Sequence, residues 1–519
     1  MIDVLLIYPK LGSMDSMVTD LPLSIIYAAS ASVKKGYNVK LLDMRIENTD
    51  WKNLLKKFLD DGVILAGVSV MTGKPLLFAK EIAEYIRKFY PKTKIVFGGP
   101  HVTVIPDTIN ENYIDFLIRG YGSESLSQLV ESLKNGKSDF SEILGLSYKS
   151  NGNPVHNKRS YGYENISYKD LPYNLVDIRN KAYRRANSGE LVFSLYSSIG
   201  CPYKCSFCIH PAIYEIINPP KWQPINAEEV VDHIEYVVNK YAIKNICFID
   251  DTSFPDLKHM RNIFDMIINK KLNIVIEFRG ARINELDRMD DEFIKIMIQA
   301  GTRVLKVGAE SASGKMLKIF KKNITKEQII AVNRKFSKYQ ELIIDYNFFC
   351  GAPGETYEDL KETKNAIMQL VRENKNAYYS FGSDWKPIPG TELLDFAVRE
   401  YNYKAPVTLE EWAEMDSFDS KKKIVHPWYT AKHNNLIKML QMASFVIDDK
   451  VYRETKKSKS LAFILPRILV KLYKPVVLFR LKFDFYDFLV EFEIYRFIIR
   501  VFPYFKKMME KKNEDKRLS

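Results

Sequence analysis

The chain has 519 residues, more than one hydrophobic core normally serves, so two or three domains are expected. Hydrophobic residues make up 46% and charged residues 27%, as in folded globular proteins. The five cysteines are too few for a secreted disulfide scaffold, and no apolar run approaches the roughly 20 residues that span a bilayer. The net charge is +13, and residues 451–519 hold 17 Lys and Arg against 8 Asp and Glu, so the excess is concentrated at the end of the chain.

Residues 1–140 alternate predicted strands and helices. The opening MIDVLLIYPK predicts a buried strand rather than a signal peptide. Strand-like runs such as YNVKLLDM and GVILAGVSVMT are separated by helical runs such as KPLLFAKEIAEYIRKFYP. Repeated strand–helix units predict an α/β domain, a doubly wound Rossmann-like parallel sheet with helices on both faces. Ligands of such sheets bind at the carboxyl ends of strands, here SVMTG, GGPH and GYGSE.

Residues 141–190 are polar and irregular and are interpreted as a linker. A second strand–helix series over residues 191–402 predicts a full or partial (β/α) barrel, with its chemistry on the loops after the strands. Its later strands are predicted at 244–250, 273–279, 303–309, 342–349 and 378–385. The alternation stops near residue 403, so residues 403–519 are interpreted as a helical region with a basic, amphipathic tail.

Three cysteines, Cys201, Cys205 and Cys208, are clustered in SSIGCPYKCSFCIHP with the spacing C-x3-C-x2-C. Clustered thiolates bind soft metals and iron–sulfur clusters in a reducing compartment, which predicts a cytoplasmic protein. Three thiolates on a four-iron cubane leave one iron open to another molecule. The alternatives are three unrelated thiols or a zinc site completed by His210, although structural zinc normally takes four ligands, usually in two separated pairs.

This cysteine motif, with Phe207 before its last cysteine and a predicted barrel strand in front of it, resembles the signature of radical S-adenosylmethionine (SAM) enzymes. The resemblance implies a [4Fe–4S] cluster on the three cysteines, whose free iron chelates SAM. One electron, from a reductant such as ferredoxin or flavodoxin, then cleaves SAM to methionine and a 5′-deoxyadenosyl radical. SAM contacts are implied for Phe207, for Asp250 and Asp251 in FIDDTSF, for Arg279 at the end of the third strand and for Glu310 in GAESASG. Each acid alone could instead cap the following helix.

The first domain resembles the cobalamin-binding domain of class B radical SAM enzymes, through the order of GVSVMT, FGGPHVT and RGYGSES. The resemblance covers nearly all of residues 1–400. It implies cobalamin contacts at Ser69, Thr72, Gly98, Gly99, His101, Gly120, Gly122 and Glu124, although a glycine pair after a strand often marks only a tight turn. The loop YPKLGSMDSMVTD lacks the cobalt-ligating histidine of D-x-H-x-x-G domains, so the lower cobalt ligand is unassigned. His101 is interpreted as part of the nucleotide-tail loop.

Together these cofactors imply methylation of an unactivated carbon, with one SAM as methyl source and another as radical source. The same subgroup contains lipid and hopanoid methylases and the anaerobic magnesium-protoporphyrin cyclase. A cyclase or rearrangement enzyme is therefore a second interpretation. A non-catalytic sensor that binds SAM and a corrinoid and docks at a membrane is a third. The substrate is expected to be a small molecule of unknown identity.

The tail carries two polar stripes on apolar helical segments. Arg467, Lys471 and Lys474 form the first, and the second comprises Arg480, Asp484, Asp487, Glu491, Arg496 and Arg500. An apolar face beside basic residues can lie on an anionic membrane surface, which would favour a lipid or isoprenoid-like substrate, or it can pack on the barrel or in a dimer. Acids and aliphatic residues interrupt the basic ones, so no nucleic-acid partner is expected.

Overall fold

The computed structural model describes residues 1–12, 15, 20–46, 50–159, 163–164, 166–185, 189–218, 221–415, 426–448, 450, 461–487, 489 and 492. Two main sheets organise them. The first sheet is built from β1 Ile2–Tyr8, β2 Val39–Asp43, β3 Val63–Ser69, β4 Lys94–Gly98, β5 Phe116–Ile118, β6 Leu146–Ser150 and β7 Asn153–His156. The remaining strands are β8 Val192–Leu195, β9 Ser198–Gly200, β10 Trp222–Pro224, β11 Asn245–Phe248, β12 Val275–Arg282, β13 Thr302–Glu310, β14 Ile343–Cys350 and β15 Ala377–Asp384.

Helices separate nearly all of these strands. In the first half of the chain they are Leu23–Lys34, Trp51–Leu59, Lys74–Phe89, Pro100–Val104 and Ser123–Lys134, with 3-10 turns at Pro106–Asn110, Tyr168–Asp170, Tyr173–Leu175 and Lys181–Tyr183. In the second half they are His210–Ile217, Ala227–Tyr241, Leu257–Asn269, Ile283–Arg288, Asp291–Gln299, Gly314–Ile319, Lys326–Phe336, Tyr357–Glu373, Glu392–Tyr401, Leu409–Ala413, Ala431–Ala443 and Leu461–Lys482. Among the described residues, no helix is both long and apolar enough to cross a bilayer.

The first sheet has the strand order β2-β1-β3-β4-β5-β6-β7, and β1 to β5 run parallel. Almost every residue of β1 is buried, because helices cover both faces of a doubly wound sheet. The order reverses between β1 and β3, and ligands of such sheets bind in the crevice beyond the strand ends at that point. The predicted doubly wound domain is confirmed.

One part of the predicted linker belongs to the first sheet. Strand β6 pairs antiparallel with β5, and β7 pairs antiparallel with β6. The expectation that residues 141–190 are irregular is therefore wrong for Leu146–His156. The mostly exposed residues of β7 have no apolar period, so the sequence carried no strand signal there.

The second sheet has the order β15-β14-β13-β12-β11-β8, with all pairs parallel. No pairing of β8 with β15 occurs among the described residues, so the barrel is partial. Its outer face packs on helices: the Phe278 ring stacks on Phe248 at 4.8 Å and also meets Phe264 of helix Leu257–Asn269. The predicted (β/α) barrel is confirmed in its partial form.

The two sheets share a hydrophobic core. Val102 and Ile109 of the first domain are fully buried in one cluster with Phe320 and Leu393 of the barrel and Trp412 of the C-terminal region. Helix Lys74–Phe89 also contacts helix Leu409–Ala413, where Lys80 forms an ion pair with Glu410. The C-terminal region thus covers the junction between the two sheets.

Candidate functional site

The loop that carries Cys201, Cys205 and Cys208, called here the cysteine loop, begins next to a segment that a buried carboxylate holds by hydrogen bonds. The carboxylate of Asp250, 3% exposed, accepts bonds from the Ser197 N–H at 2.7 Å, the Ser197 hydroxyl at 2.7 Å and the Ser198 N–H at 3.0 Å. Burial raises the pKa of Asp250 to about 6, against the effect of these bonds. Asp250 therefore fixes the segment from which the loop departs.

Gly200 is the residue at which the chain turns into the loop. Its φ of +91° lies in the left-handed region, and a Cβ there would stand 2.6 Å from the Lys221 carbonyl oxygen. Glycine alone fits both conditions without strain. Cys201 follows directly, so this position sets where the first thiol emerges.

The three cysteines lie in partly or fully buried positions. The Cys208 N–H donates to the Cys205 carbonyl at 3.1 Å, which closes a tight turn between these two ligands. Burial raises the pKa of Cys201 to about 11 and that of Cys208 to about 12, and the neighbouring thiols raise both further. Thiolates here therefore need a compensating positive charge, which a metal cluster supplies.

Part of that compensation comes from Arg282, which sequence reasoning missed. Its Nη1 donates to Cys205 Sγ at 3.2 Å, and its guanidinium lies 3.8 Å from the centre of the Tyr203 ring. Arg282 is 8% exposed, and its Nε has no hydrogen-bond partner among the described residues. The strand was predicted to end at Arg279 but continues to Arg282, which places this side chain at the cysteine loop.

The donor set fits a cubane. Among the described residues, no three His, Cys, Asp or Glu side chains converge where one metal ion could bind, and a cubane does not require this because each thiolate binds a different iron. The zinc alternative needs His210 as a ligand. Its Nε2 instead lies 3.1 Å from Asp251 Oδ1, and its Nδ1 lies 3.0 Å from the Tyr214 hydroxyl.

The residues predicted to contact SAM occupy several environments. Asp251 is turned to His210 and Tyr214, beside the loop, whereas Asp250 is occupied by Ser197 and Ser198. Phe207 packs against Phe320 and Phe349, with ring centroids 5.5 and 5.1 Å apart. SAM contact by these residues stays a prediction.

Glu310 and Arg279, two further predicted SAM residues, are both paired with charged side chains. Glu310 ends β13 with φ +66° and accepts from Lys322 Nζ at 3.2 Å, so a strained backbone marks this strand end. The prediction that Arg279 ends its strand is wrong. Arg279 lies within β12 and pairs with Asp20 at 2.6 Å, and its role toward SAM stays a prediction.

Most residues predicted to contact cobalamin line the carboxyl end of the first sheet. Ser69 ends β3, and its hydroxyl lies 3.0 Å from that of Ser24. A Cβ at Gly99 would stand 2.6 Å from the Val70 carbonyl oxygen, and one at Gly122 would stand 2.6 Å from Ile118 Cγ2. Backbone packing thus requires glycine at Gly99, whereas at Gly122 a side chain would press on the methyl group of Ile118. Gly98 ends β4, and Gly120, with φ +90°, follows β5.

His101 and Glu124, two further residues predicted to contact cobalamin, both lie next to other side chains of the protein. His101 is 1% exposed, its Nδ1 lies 3.0 Å from Thr72 Oγ1, and burial lowers its pKa to about 4. Its ring meets the edge of Trp412. Glu124 is exposed and lies 3.6 Å from Lys35. The cobalamin contacts stay predictions, and the lower cobalt ligand stays unassigned.

The carboxyl edges of the two sheets approach each other at the cysteine loop. Tyr121, between Gly120 and Gly122, packs edge to face on Tyr163 with centroids 5.2 Å apart. The Tyr163 hydroxyl occupies the space that a Cβ of Gly200 would need. On the other side, a Cβ at Gly390 would meet Val104 of the first domain at 2.6 Å. The predicted cobalamin edge and the cluster loop therefore border one region.

Two family models match these two parts of the chain. Residues 14–130 match the B12 binding domain, and residues 195–367 match the radical SAM superfamily. This chain is a B12-binding radical SAM enzyme. Its cofactors are a [4Fe–4S] cluster, SAM and cobalamin, and its reaction requires a reductant and a substrate.

The enzyme is similar to several known proteins over most of its length. An uncharacterized methyltransferase of Pyrococcus horikoshii is 27% identical over 86% of this chain and 93% of its own. The anaerobic magnesium-protoporphyrin IX monomethyl ester cyclase of Cereibacter sphaeroides is 23% identical over 74% of this chain and 63% of its own. The solved structure of the cobalamin-dependent SAM radical enzyme OxsB with aqua-cobalamin bound has a TM-score of 0.69 and 19% identity, and it covers 95% of this chain and 74% of its own. The OxsB likeness confirms the fold.

Proposed function

We propose that this enzyme is a cobalamin-dependent radical SAM methyltransferase acting on an unactivated carbon. The observation that carries the proposal is the approach of the two strand edges at the cysteine loop, through Tyr121, Tyr163 and Gly200. A methyl donor held at one edge and a radical source held at the other would then share one substrate region. This arrangement is what methyl transfer to a substrate radical requires.

The chain's own residues bind and position the cofactors in this proposal. When bound, the cofactors supply a methyl group and a 5′-deoxyadenosyl radical. Cys201, Cys205 and Cys208 hold the cluster, and Arg282 donates a hydrogen bond to the Cys205 sulfur. Asp250 holds the base of the loop through Ser197 and Ser198. The aromatic packing of Phe207 on Phe320 and Phe349 excludes water from one side of the loop.

Cyclisation with the same cofactors is the second candidate, because one relative is the magnesium-protoporphyrin cyclase. Methyl transfer is favoured because the relative described as a methyltransferase matches 93% of its own length and 86% of this chain. The sensor interpretation is not favoured, since the enzyme retains the complete cysteine motif and its Arg282 contact.

Anaerobic reconstitution tests methyl transfer directly. With cluster, cobalamin, SAM, a reductant and a candidate small-molecule substrate, the full chain should form both S-adenosylhomocysteine and 5′-deoxyadenosine. Cys205→Ser should abolish 5′-deoxyadenosine, whereas the matched variant Cys247→Ser, outside the motif, should retain it. Formation of 5′-deoxyadenosine without S-adenosylhomocysteine would instead support the cyclase.

We also propose that helix Leu461–Lys482 lies on an anionic membrane surface in the cytoplasm. The helix has no Asp or Glu, and its exposed apolar residues recur every three or four positions, with Leu472 71%, Val476 43% and Phe479 55% exposed. Exposed Lys471 and Lys482 lie beside them. Apolar residues flanked by cations match the chemistry of an anionic lipid surface.

The opposite face of this helix packs on the protein. Val477 and Leu481 are fully buried, and Asp484 lies 2.8 Å from Lys361 and 2.5 Å from Lys364 of helix Tyr357–Glu373. Asp484 therefore serves internal packing, as the alternative interpretation of the second stripe expects. Glu491, Arg496 and Arg500 lie outside the described residues. A lipid or isoprenoid-like substrate remains a proposal that depends on the membrane contact.

A further inference from the structure

The inner face of the barrel is charged, whereas its outer face is apolar. Along β12, Phe278 points to the helices, so Glu277 and Arg279 on either side of it point inward. Along β14, Tyr346 bonds Asn333 of helix Lys326–Phe336, so Asp345 lies on the inner face. Barrel interiors that serve only stability are filled with branched apolar side chains. An inner face with this many charges indicates a binding surface for a polar molecule.

Three cations converge on one buried carboxylate at this face. Arg185 forms an ion pair with Glu277, Lys306 Nζ lies 3.3 Å from Glu277 Oε1, and Arg279 Nε lies 3.5 Å from the same oxygen. Burial raises the pKa of Glu277, but the three cations outweigh burial and hold this pKa below its usual value. We call Arg185, Arg279 and Lys306 the inner-face cation site.

The acids at this site do not balance the cations. Besides Glu277, the site contacts Asp20, which pairs with Arg279 at 2.6 Å and accepts from the Ser194 hydroxyl at 2.6 Å. Three cations thus face two carboxylates among the described residues. The side chains of Arg185, Arg279 and Lys306 are 33–35% exposed, while that of Glu277 is 8% exposed. The accessible part of the cluster is therefore its positive part, which suits an additional anion.

A second charged group in the barrel has no excess of cations and gives a contrast. Lys450 Nζ lies 3.3 Å from Asp345 Oδ2, and the Ser380 hydroxyl donates to Asp345 Oδ1 at 3.1 Å. Lys450 there faces two carboxylates, because the buried Asp448 also lies close enough to interact electrostatically with Lys450 and Asp345. The excess positive charge is accordingly confined to the inner-face cation site.

The distance between the inner-face cation site and the cysteine loop is about the length of a small molecule, roughly 10 Å along β12. Arg279 and Arg282 are three residues apart on β12, or about 10 Å at ~3.3 Å per residue. Arg282 contacts Cys205, and Glu310 ends the neighbouring strand that carries Lys306. A molecule held by an anionic end at the cation site can thus extend toward the loop.

We infer that the inner-face cation site binds the anionic group, a phosphate or a carboxylate, of a small-molecule substrate. The assignment of this anion to the substrate rests on the proposed function, because that function places the reacting carbon near the cysteine loop. The other source of such a group is the carboxylate of SAM itself. The two sources share the same chemistry but differ in whether SAM competes for the site.

Titration with inorganic phosphate and, separately, acetate tests the inference on the reconstituted full chain. Calorimetry at constant ionic strength should show binding of at least one anion to the wild type. Lys306→Gln should raise the dissociation constant of that anion at least fivefold, because an ammonium group that faces the anion is lost. The matched variant Lys295→Gln, on the exposed face of helix Asp291–Gln299, should bind as the wild type does.

Saturating SAM separates the two sources. Anion binding that persists with SAM supports the substrate site, and anion binding that SAM abolishes overturns it. Equal affinities in the wild type, Lys306→Gln and Lys295→Gln, or no binding of either anion, also overturn it. Arg185→Gln provides a second variant if Lys306→Gln loses its circular dichroism spectrum. Because no turnover is measured, failure here is distinct from failure to form S-adenosylhomocysteine.

Discussion

Arg282 has the most direct electrostatic role of any residue described around the cysteine loop. Its guanidinium donates to Cys205 Sγ at 3.2 Å and to the Lys322 carbonyl at 3.2 Å, so two bonds fix its position. Positive charge and N–H···S bonds stabilise the more negative, reduced form of an iron–sulfur cluster. The side chain should therefore raise the reduction potential of the cluster.

Arg282→Gln is expected to shift the midpoint potential of the cluster to a more negative value, because a charge and a donor to sulfur are lost. A redox titration followed by electron paramagnetic resonance measures this shift. Arg399→Gln, an exposed arginine paired with Glu400, is the control and should leave the potential unchanged. Full cluster occupancy with an unaltered potential in Arg282→Gln would contradict the assignment.

Glu355 is a second residue whose surroundings lead to a testable prediction, here about the pH dependence of stability. It is 3% exposed and accepts from the Gly351 N–H at 2.7 Å. Burial, with Asp359 and Asp384 adding to it, raises the pKa of Glu355 to about 8 from 4.5. The folded state therefore holds this proton more tightly than the unfolded state. The stabilisation is complete below pH 4.5 and is lost as the pH rises through 8.

Glu355→Gln should raise the unfolding temperature at pH 8.5 but not at pH 4.5, because the amide accepts the Gly351 bond without ionising. The gain in free energy of unfolding should exceed ~1 kcal/mol, since each unit of pKa shift corresponds to about 1.4 kcal/mol. Thermal unfolding over a pH series measures it. The exposed Glu358→Gln should follow the wild type, and equal stabilities of Glu355→Gln and wild type at pH 8.5 would refute the argument.

Among the elements, strands with buried apolar runs were the most predictable. The five later barrel strands predicted from such runs are all present within a few residues, because the apolar side chains of their outer faces are buried against the helices. Strand β7 was missed because its residues are exposed and polar. Arg282 was missed because a register shift between Phe278 and Ala281 extends β12 beyond the apolar run. Contacts such as Asp20 with Arg279, 259 positions apart, leave no trace in a single sequence.

The proposed membrane contact of helix Leu461–Lys482 predicts how substitutions in this helix change the binding of the protein to vesicles. Replacing its exposed apolar residues in Leu472→Ser/Phe479→Ser should reduce binding to vesicles containing phosphatidylglycerol at least tenfold, because apolar area that enters the lipid is lost. Lys471→Glu/Lys482→Glu should act similarly, at about 1 kcal/mol per basic residue removed from the surface. Vesicle flotation measures both effects.

The control for the helix is Val407→Ser, which removes an apolar side chain that is 84% exposed but lies outside this helix. It should float with vesicles as the wild type does. Flotation of all variants to the same extent would contradict membrane contact through this face and would leave a second copy of the chain as the alternative occupant. Analytical ultracentrifugation would then detect that copy as a dimer.

At the scale of the whole molecule, the shared core makes the two domains one cooperative unit. Val102 and Ile109 pack in the same cluster as Phe320, Leu393 and Trp412, so neither sheet can expose its edge without disturbing the other. Lys80 and Glu410 add an ion pair across the junction between the first domain and the C-terminal region. Ligand binding to one domain should therefore stabilise both.

Calorimetric unfolding of the full chain is accordingly expected to show one transition, which hydroxocobalamin moves upward as a whole. At a ligand concentration 100 times the dissociation constant, the gain is about 2.7 kcal/mol if only the folded chain binds it. Near-ultraviolet circular dichroism should report the same midpoint as calorimetry, because aromatic residues lie on both sides of the junction. Two transitions, of which cobalamin moves only one, would mean that the cluster around Phe320 does not couple the domains. The cobalamin edge would then be free to separate from the cysteine loop, and the geometry on which methyl transfer depends would not be maintained by the fold.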